Sequence, residues 1–333
     1  MRLPPFEFVK PASTDEGLAV LEASKGSASL LAGGTDLLVN MKLGVSTPQT
    51  VVSLGAVPEL TTVSEAHDGS IHIGACCTLS ALQELPVLQE KFPAVVEAIA
   101  SVASQHVRNM ATIGGNVCLD TRCWYFNQSH LWRSSRPLCF KTGGDRCHAI
   151  HGSDRCHAIN HSDAAPALLS ASARVVARSR KQQREIPLAA FFNDDGQKPN
   201  LLRDNEILTE IVLPPAPPNV RSTFIKVRDR RGIDFAAGSV AASTHSTQGG
   251  TLKANIVIGA LTSAPVRLEK TAQIVGESGF GDASIAKAAT VARSEFGTLT
   301  NLYTSAGYKR TLIEVLVTRA LHNLKPKRTR RSK

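Results

Sequence analysis

Five of the chain's seven cysteines fall between Cys118 and Cys156, inside a stretch from Cys118 to His161 that carries neither helical nor strand periodicity. The same stretch holds both tryptophans, Trp124 and Trp132, and five of the ten histidines. About 40 residues without secondary structure is far beyond the loop length that compact domains tolerate. Something other than a hydrophobic core must order it. A bound metal centre does so, because ligand binding then supplies folding free energy. Cytosolic chains keep no structural disulfides, so this density of thiols points to metal or redox chemistry.

The rest of the chain must form a scaffold around that segment. At 333 residues it predicts two or three domains. Ser13 and Glu16 form a capping-box pattern before a helix through Leu21. A strand over Ser29–Ala32 runs into Gly33-Gly34-Thr35-Asp36 and a helix from Leu37 to Leu43. Strands at Thr50–Leu54 and Ser70–Ala75 follow, then helices at Leu79–Leu85 and Pro93–Ser104, the latter with Val95, Val96, Ile99 and Val102 on one face. After Asp163 the pattern is mostly β: Ala173–Ala177, Arg184–Ile186, Ile207–Leu213 and Thr223–Arg228. Pro214–Pro218 is a stiff connector and the best domain boundary. Strands at Gly238–Thr244 and Leu252–Leu261, with helices at Pro265–Val275, Asp282–Phe296 and Ala306–Asn323, give the last segment an α+β signature.

Cys123, Cys139, Cys147 and Cys156 are spaced C-x15-C-x7-C-x8-C. Four thiolates hold either tetrahedral zinc or a [4Fe–4S] cube. Zinc knuckles use C-x2-C pairs, and none occurs here. A cube accepts ligands arriving separately along an irregular chain. Asp145-Arg146-Cys147-His148-Ala149-Ile150 recurs as Asp154-Arg155-Cys156-His157-Ala158-Ile159, suggesting two similar ligand-bearing turns. Arg122, Arg146 and Arg155 each precede a proposed ligand, where they would offset a cluster's negative charge. Zinc with His148 or His157, or four redox-silent thiols, are the competing readings. Cys76 and Cys77 read as small core residues.

Two glycine loops flank this segment at Ala32–Asp36 and Ala111–Asn116, and glycines there let backbone N–H groups close on phosphate oxygens. Neither matches a G-x-G-x-x-G or P-loop pattern. Together with Lys226-Val227-Arg228, Asp234-Phe235 and Tyr308-Lys309-Arg310, they resemble the flavin-binding subunit of the molybdenum hydroxylases, the xanthine and carbon monoxide dehydrogenase family. Ordinary members lack the cysteine insertion. With it, the chain looks like the β subunit of 4-hydroxybenzoyl-CoA reductase.

The resemblance implies an α+β chain: a two-part α/β FAD-binding domain (PCMH-type) at 1–214 with an iron–sulfur insertion at 118–161, then a C-terminal domain of antiparallel sheet plus helices at 219–324. It implies FAD contacts from Leu30, Leu31, Ala32, Gly33, Gly34, Thr35, Asp36 and Leu37, from Thr112, Ile113, Gly114, Gly115 and Asn116, and from Val102, Asp120, Asp163 and Lys226. Ala-Gly-Gly stands in the first loop where relatives often have Gly-Ala-Gly. On residue chemistry alone Asp120 reads as a turn cap, Asp163 as an N-cap of a helix over Ala164–Leu169 and Lys226 as a solvated strand residue. The cube would be held by Cys123, Cys139, Cys147 and Cys156.

The implied partners are a molybdopterin-binding large subunit, a [2Fe–2S] small subunit and ferredoxin as electron donor, in a dimer of heterotrimers. The implied activity is electron transfer for reductive dehydroxylation of 4-hydroxybenzoyl-CoA, with an oxidative molybdenum hydroxylase as the alternative. A third reading, a basic nucleic-acid module, ranks last. Residues 325–333 hold six of the cations behind the net charge of +10, and without this disordered tail only about +4 is left, thinly spread. No apolar run approaches the roughly 18 residues of a membrane span, and Pro4, Pro5 and Glu7 interrupt any signal-like stretch. The expected location is cytoplasmic.

Overall fold

The computed structural model describes residues 2–326. The tail assigned to 325–333 therefore lies, from residue 327 onward, outside the described residues. The first layer is a small parallel sheet of β1 (Glu7–Val9), β2 (Ala28–Leu31) and β3 (Thr50–Ser53) in the order β1-β3-β2. Helix 14–24 covers it, started by Ser13, whose hydroxyl accepts from the Glu16 N–H at 3.2 Å. The Glu16 carboxylate reaches back to the Ala12 N–H at 2.7 Å, so two orphan donors of the helix entry are satisfied.

The second layer is antiparallel: β4 (Val63–Glu65), β5 (Ile71–Gly74), β6 (Arg174–Arg178), β7 (Gln183–Pro187) and β8 (Ile207–Leu213), ordered β4-β5-β8-β6-β7. Helices 93–100 and 164–170 pack on it around a core that includes Ile73, Val95, Ile99, Leu168, Val175 and Ile211. The helix expected to run to Ser104 stops at Ala100, because Ala103 takes the left-handed φ of 41° and Ser104 caps a new turn at Gln105–Arg108.

The third sheet, β9 (Arg221–Val227), β10 (Gly238–Ser246), β11 (Leu252–Gly259) and β12 (Val266–Arg267), is antiparallel in the order β12-β11-β10-β9. Its alternation is split between two cores. Phe224, Ala241 and Val257 join the core of the second layer, while Val240, Ala242, Ile256 and Ile258 join one made with helices 269–278, 282–292 and 306–324. Successive side chains on one strand thus cement the C-terminal sheet to both neighbours. Helix 306–324 buries Leu312, Ile313, Leu316, Val317, Ala320, Leu321 and Leu324, a single face at helical spacing. The helix expected from Pro265 begins at Glu269 instead. Val266 and Arg267 extend the sheet by pairing with Ile258 and Val257, where the edge of β11 offers them backbone hydrogen bonds.

The cysteine segment is not wholly irregular. Helix 130–134, capped by Ser129, and a 3-10 turn at Phe140–Thr142 punctuate it, and its ends are clipped together where Arg122 and Ile159 exchange backbone hydrogen bonds of 2.8 Å. Among the described residues no helix is long and apolar enough to cross a membrane.

Candidate functional site

A cleft of about 750 Å³ opens where the two glycine loops meet the loop between β9 and β10. Of the expected flavin contacts, Leu30, Ala32 through Leu37, Val102, Thr112, Gly114, Gly115, Asn116, Asp120, Asp163 and Lys226 line it. Leu31 and Ile113 do not. Leu31 follows Leu30 on a strand and points to the opposite face, and Ile113 is fully buried in the core beneath its loop.

The glycines do different work from that expected of them. A Cβ on Gly33 would lie 1.8 Å from the Met110 carbonyl oxygen, and one on Gly114 would lie 2.6 Å from Ala75 Cβ. These two residues let the loops press against neighbouring backbone. Gly34 supplies a left-handed turn at φ +72°, and Gly115 faces open space apart from Thr112 Oγ1. The result still suits a phosphate. The N–H groups of Gly33, Gly34, Thr35 and Asp36 find no acceptor among the described residues, so a row of unpaired donors borders the cleft.

Asp163 occupies the N-cap position of helix 164–170, but its side chain makes no capping hydrogen bond. Asn116 Oδ1 accepts from the Ala164 N–H at 3.2 Å and from Ser162 Oγ at 2.8 Å, and Ser162 Oγ accepts from the Ala165 N–H. That releases the Asp163 carboxylate to meet Lys226 Nζ at 2.6 Å, and burial pushes the carboxyl up to about 6 against the pull of that ammonium. Lys226 is therefore buried rather than solvated. Asp120 pairs with Lys141 at 2.6 Å instead of capping a turn. Asp36 pairs with Arg122, yet burial still raises its carboxyl above the usual range.

Sequence reasoning missed His161, Arg122 and Phe235 on the cleft wall. The His161 ring packs on Phe235 with centroids 4.8 Å apart, and the Arg122 guanidinium lies 5.4 Å from the same ring. Burial, with Arg122 and Lys226 beside it, pushes the His161 imidazole down to about 3, so it is neutral. No local pattern announces such a wall, because its three members lie far apart in sequence.

Beside the cleft, the four spaced cysteines sit near enough to influence one another. Burial raises Cys123, and the thiols of Cys147 and Cys139 add to this. Burial raises Cys156 to about 12, with Cys147 and Cys123 again adding. Their sulfurs already accept hydrogen bonds: Cys123 from the Tyr125 N–H at 3.4 Å, and Cys139 from Thr142 Oγ1 at 3.6 Å. Among the described residues, however, no three His, Cys, Asp or Glu side chains close on one point tightly enough for a single metal ion. His148 and His157 are engaged elsewhere, with the Pro137 carbonyl and Ser153 Oγ.

The three arginines next to these cysteines are not free to offset cluster charge. Arg122, Arg146 and Arg155 pair with Asp36, Asp145 and Asp194. The cations that act on the thiols are Lys141, toward Cys156, and Arg133, toward Cys139. Cys118 is half-buried, lines the flavin-side cleft and is raised to about 12 by burial.

Residues 4–216 match the family of the FAD binding domain in molybdopterin dehydrogenase, and residues 223–324 match the CO dehydrogenase flavoprotein C-terminal domain. The chain is 26% identical to the carbon monoxide dehydrogenase medium chain of Hydrogenophaga pseudoflava, covering 96% of each. It is 29% identical to the FAD-binding subunit of an aldehyde oxidoreductase of Escherichia coli, over 87% of this chain and 90% of that one. Its fold superposes on the solved carbon monoxide dehydrogenase from Hydrogenophaga pseudoflava with a TM-score of 0.79 at 24% identity, covering 97% and 98% of the two chains. Two family matches that follow one another along the sequence, meeting over the cleft just described, identify the chain as a member of the FAD-binding subunits of the molybdenum hydroxylases.

Proposed function

We propose that this chain is the FAD- and [4Fe–4S]-carrying electron-transfer subunit of a 4-hydroxybenzoyl-CoA reductase. The observation that carries the reading is the mutual influence of Cys123, Cys139, Cys147 and Cys156 in a segment beside the cleft that has little core of its own. Thiolates on the corners of a cube stand further apart than the ligands of one ion, and no three of the described metal-ligating side chains close on a single ion site, which disfavours zinc.

In this reading the unpaired N–H groups of residues 33–36 hold the FAD pyrophosphate. Thr112, Gly115 and Val102 line its path, and the Asp163–Lys226 pair meets its polar edge. Phe126 and Phe235, also on the cleft wall, exclude water. Backbone N–H groups hold the ligand thiolates in place and Lys141 offsets their charge. When bound, the two cofactors supply the redox steps between a ferredoxin and, through a [2Fe–2S] small subunit, a molybdopterin-binding large subunit where the phenolic hydroxyl is removed reductively and the thioester is kept. A dimer of such heterotrimers in the cytoplasm is the expected assembly, with residues 1–214 and 219–324 as its two flavoprotein domains and 118–161 as the cluster insertion.

The test is the purified complex. It should hold about four irons and one FAD per copy of this chain and reduce 4-hydroxybenzoyl-CoA with a low-potential donor. Zinc or bare thiols in place of iron would overturn the cluster. Oxidation of an aromatic substrate without dehydroxylation of 4-hydroxybenzoyl-CoA would leave the flavin role standing and move the chain to the oxidative members.

A further inference from the structure

A second hollow, of about 310 Å³, lies on the far side of Arg122 from the flavin cleft, between the cysteine segment and the C-terminal helices. It is at the lower end of the roughly 300–1,000 Å³ typical of small-molecule sites. Trp124, Tyr125, Phe296 and Leu299 wall it with apolar and aromatic surface. Trp124 stacks on Tyr303 with centroids 5.9 Å apart, which ties the cysteine segment to the loop carrying Asn301.

Its polar lining includes Asp194, which is paired with Arg155, and two residues with donors left unused, Lys309 and Asn301. Lys309 is only 4% exposed and donates one hydrogen bond, to the Leu299 carbonyl at 2.9 Å, leaving two ammonium donors unused. Among the described residues no carboxylate pairs with it, whereas the other lining cations, Arg122 and Arg155, are paired with Asp36 and Asp194. Asn301 Oδ1 is occupied by the N–H groups of Tyr303 and Thr304, and its amide Nδ2 has no partner among the described residues. An uncompensated buried ammonium is costly, and an anion seated against it offsets that cost. Aromatic walls with so few donors suit an organic anion better than a hydrated inorganic one.

We infer that this hollow binds a small carboxylate with a flat apolar body, its oxygens held by Lys309 Nζ and Asn301 Nδ2. Burial alone pushes the Lys309 ammonium below its usual range, consistent with a cation awaiting its counter-charge.

Isothermal titration of the assembled complex with benzoate tests it, with benzamide and inorganic phosphate as neutral and inorganic controls. Saturable benzoate binding is expected, weakened about tenfold or more by Lys309→Met and by Asn301→Leu and largely kept by Lys309→Arg. FAD and iron content should not change in the Asn301 variant, which carries the test if Lys309→Met does not fold. Absent binding, equal binding of benzamide, or unchanged affinity in Asn301→Leu would overturn the proposal.

Discussion

The ammonium of Lys226 lies 2.6 Å from the Asp163 carboxylate, with the two side chains only 4% and 7% exposed. Asp163 immediately precedes helix 164–170, which packs on one face of the C-terminal sheet, and Lys226 belongs to β9 of that sheet. Lys226 Nζ also donates to the Ser101 carbonyl at 3.2 Å, so one cation ties three segments at the cleft floor. Removing one partner of such a pair strands a buried charge, and Lys226→Met is expected to cost about 3–5 kcal/mol. Denaturant unfolding and retained FAD are the measurements. The double variant Lys226→Met/Asp163→Leu should recover most of the stability, and a single variant no worse than a surface change would show that the pair does not hold the interface.

The same carboxyl makes stability depend on pH. Burial raises Asp163 from 3.8 to about 6, with Lys226 opposing. The folded chain therefore holds this proton more tightly than the unfolded chain. Its contribution is full below about pH 4, is lost as pH rises through about 6 and is flat above that. Melting curves of the wild type minus those of Asp163→Asn should show this slope between pH 4 and 6. A difference that rises with pH would contradict it.

Gly33→Ala and Gly115→Ala should separate packing from ligand approach. The first places a methyl 1.8 Å from a backbone oxygen, so the loops must part, at a cost of about 1–3 kcal/mol or more with loss of FAD. The second meets Thr112 Oγ1 at 3.0 Å and Ala32 Cβ at 4.0 Å, no backbone atom, and should leave stability nearly intact while weakening FAD binding, because its methyl enters the cleft. Equal melting temperatures for the two variants would sink the distinction.

Serine at Cys123, Cys139, Cys147 or Cys156 should each lower iron content sharply with FAD retained, whereas Cys118→Ser should keep its iron. Cys118 lines the flavin-side cleft and is not among the thiols that perturb Cys123 and Cys156. Iron analysis and the flavin absorbance of each purified variant decide the matter. Iron lost in the Cys118 variant with Cys139→Ser unaffected would reassign the ligands.

Raised thiol pKa values add a linked expectation. Ligation requires thiolates, and Cys156 is held near 12 by burial first and by its neighbouring thiols after that. Reconstitution with iron and sulfide should therefore release protons and fail progressively as pH is lowered. Proton release measured with a pH indicator, and found to be nil, would count against these residues as ligands.

Much of this protein was legible locally. The largely apolar run Ile207–Leu213 is β8 to the residue, and the spacing of Leu312, Ile313, Leu316 and Val317 marks one buried face of helix 306–324. Strand and helix periodicities are written in short windows, because a side chain's direction repeats every two or 3.6 residues wherever the chain goes. The glycine loops and the anomalous cysteines were legible for the same reason, each being a run of neighbours. What the windows could not contain was who meets whom. Asp163 reads as an N-cap until Asn116, 47 positions earlier, takes that work. Arg122, Arg146 and Arg155 read as counter-charges to thiolates until three aspartates claim them.

The cysteine segment shows the division most clearly. Its composition and lack of periodicity by themselves set it apart from the rest of the chain and raised the expectation of a bound centre. Only tertiary structure decided that its ends are clipped at Arg122 and Ile159, that Lys141 and Arg133 are the cations its thiols feel, and that Arg122 alone lines both hollows. Local propensity is a property of neighbours in sequence, whereas burial and charge pairing depend on distances set by the whole fold, and these govern what each polar side chain is left free to do.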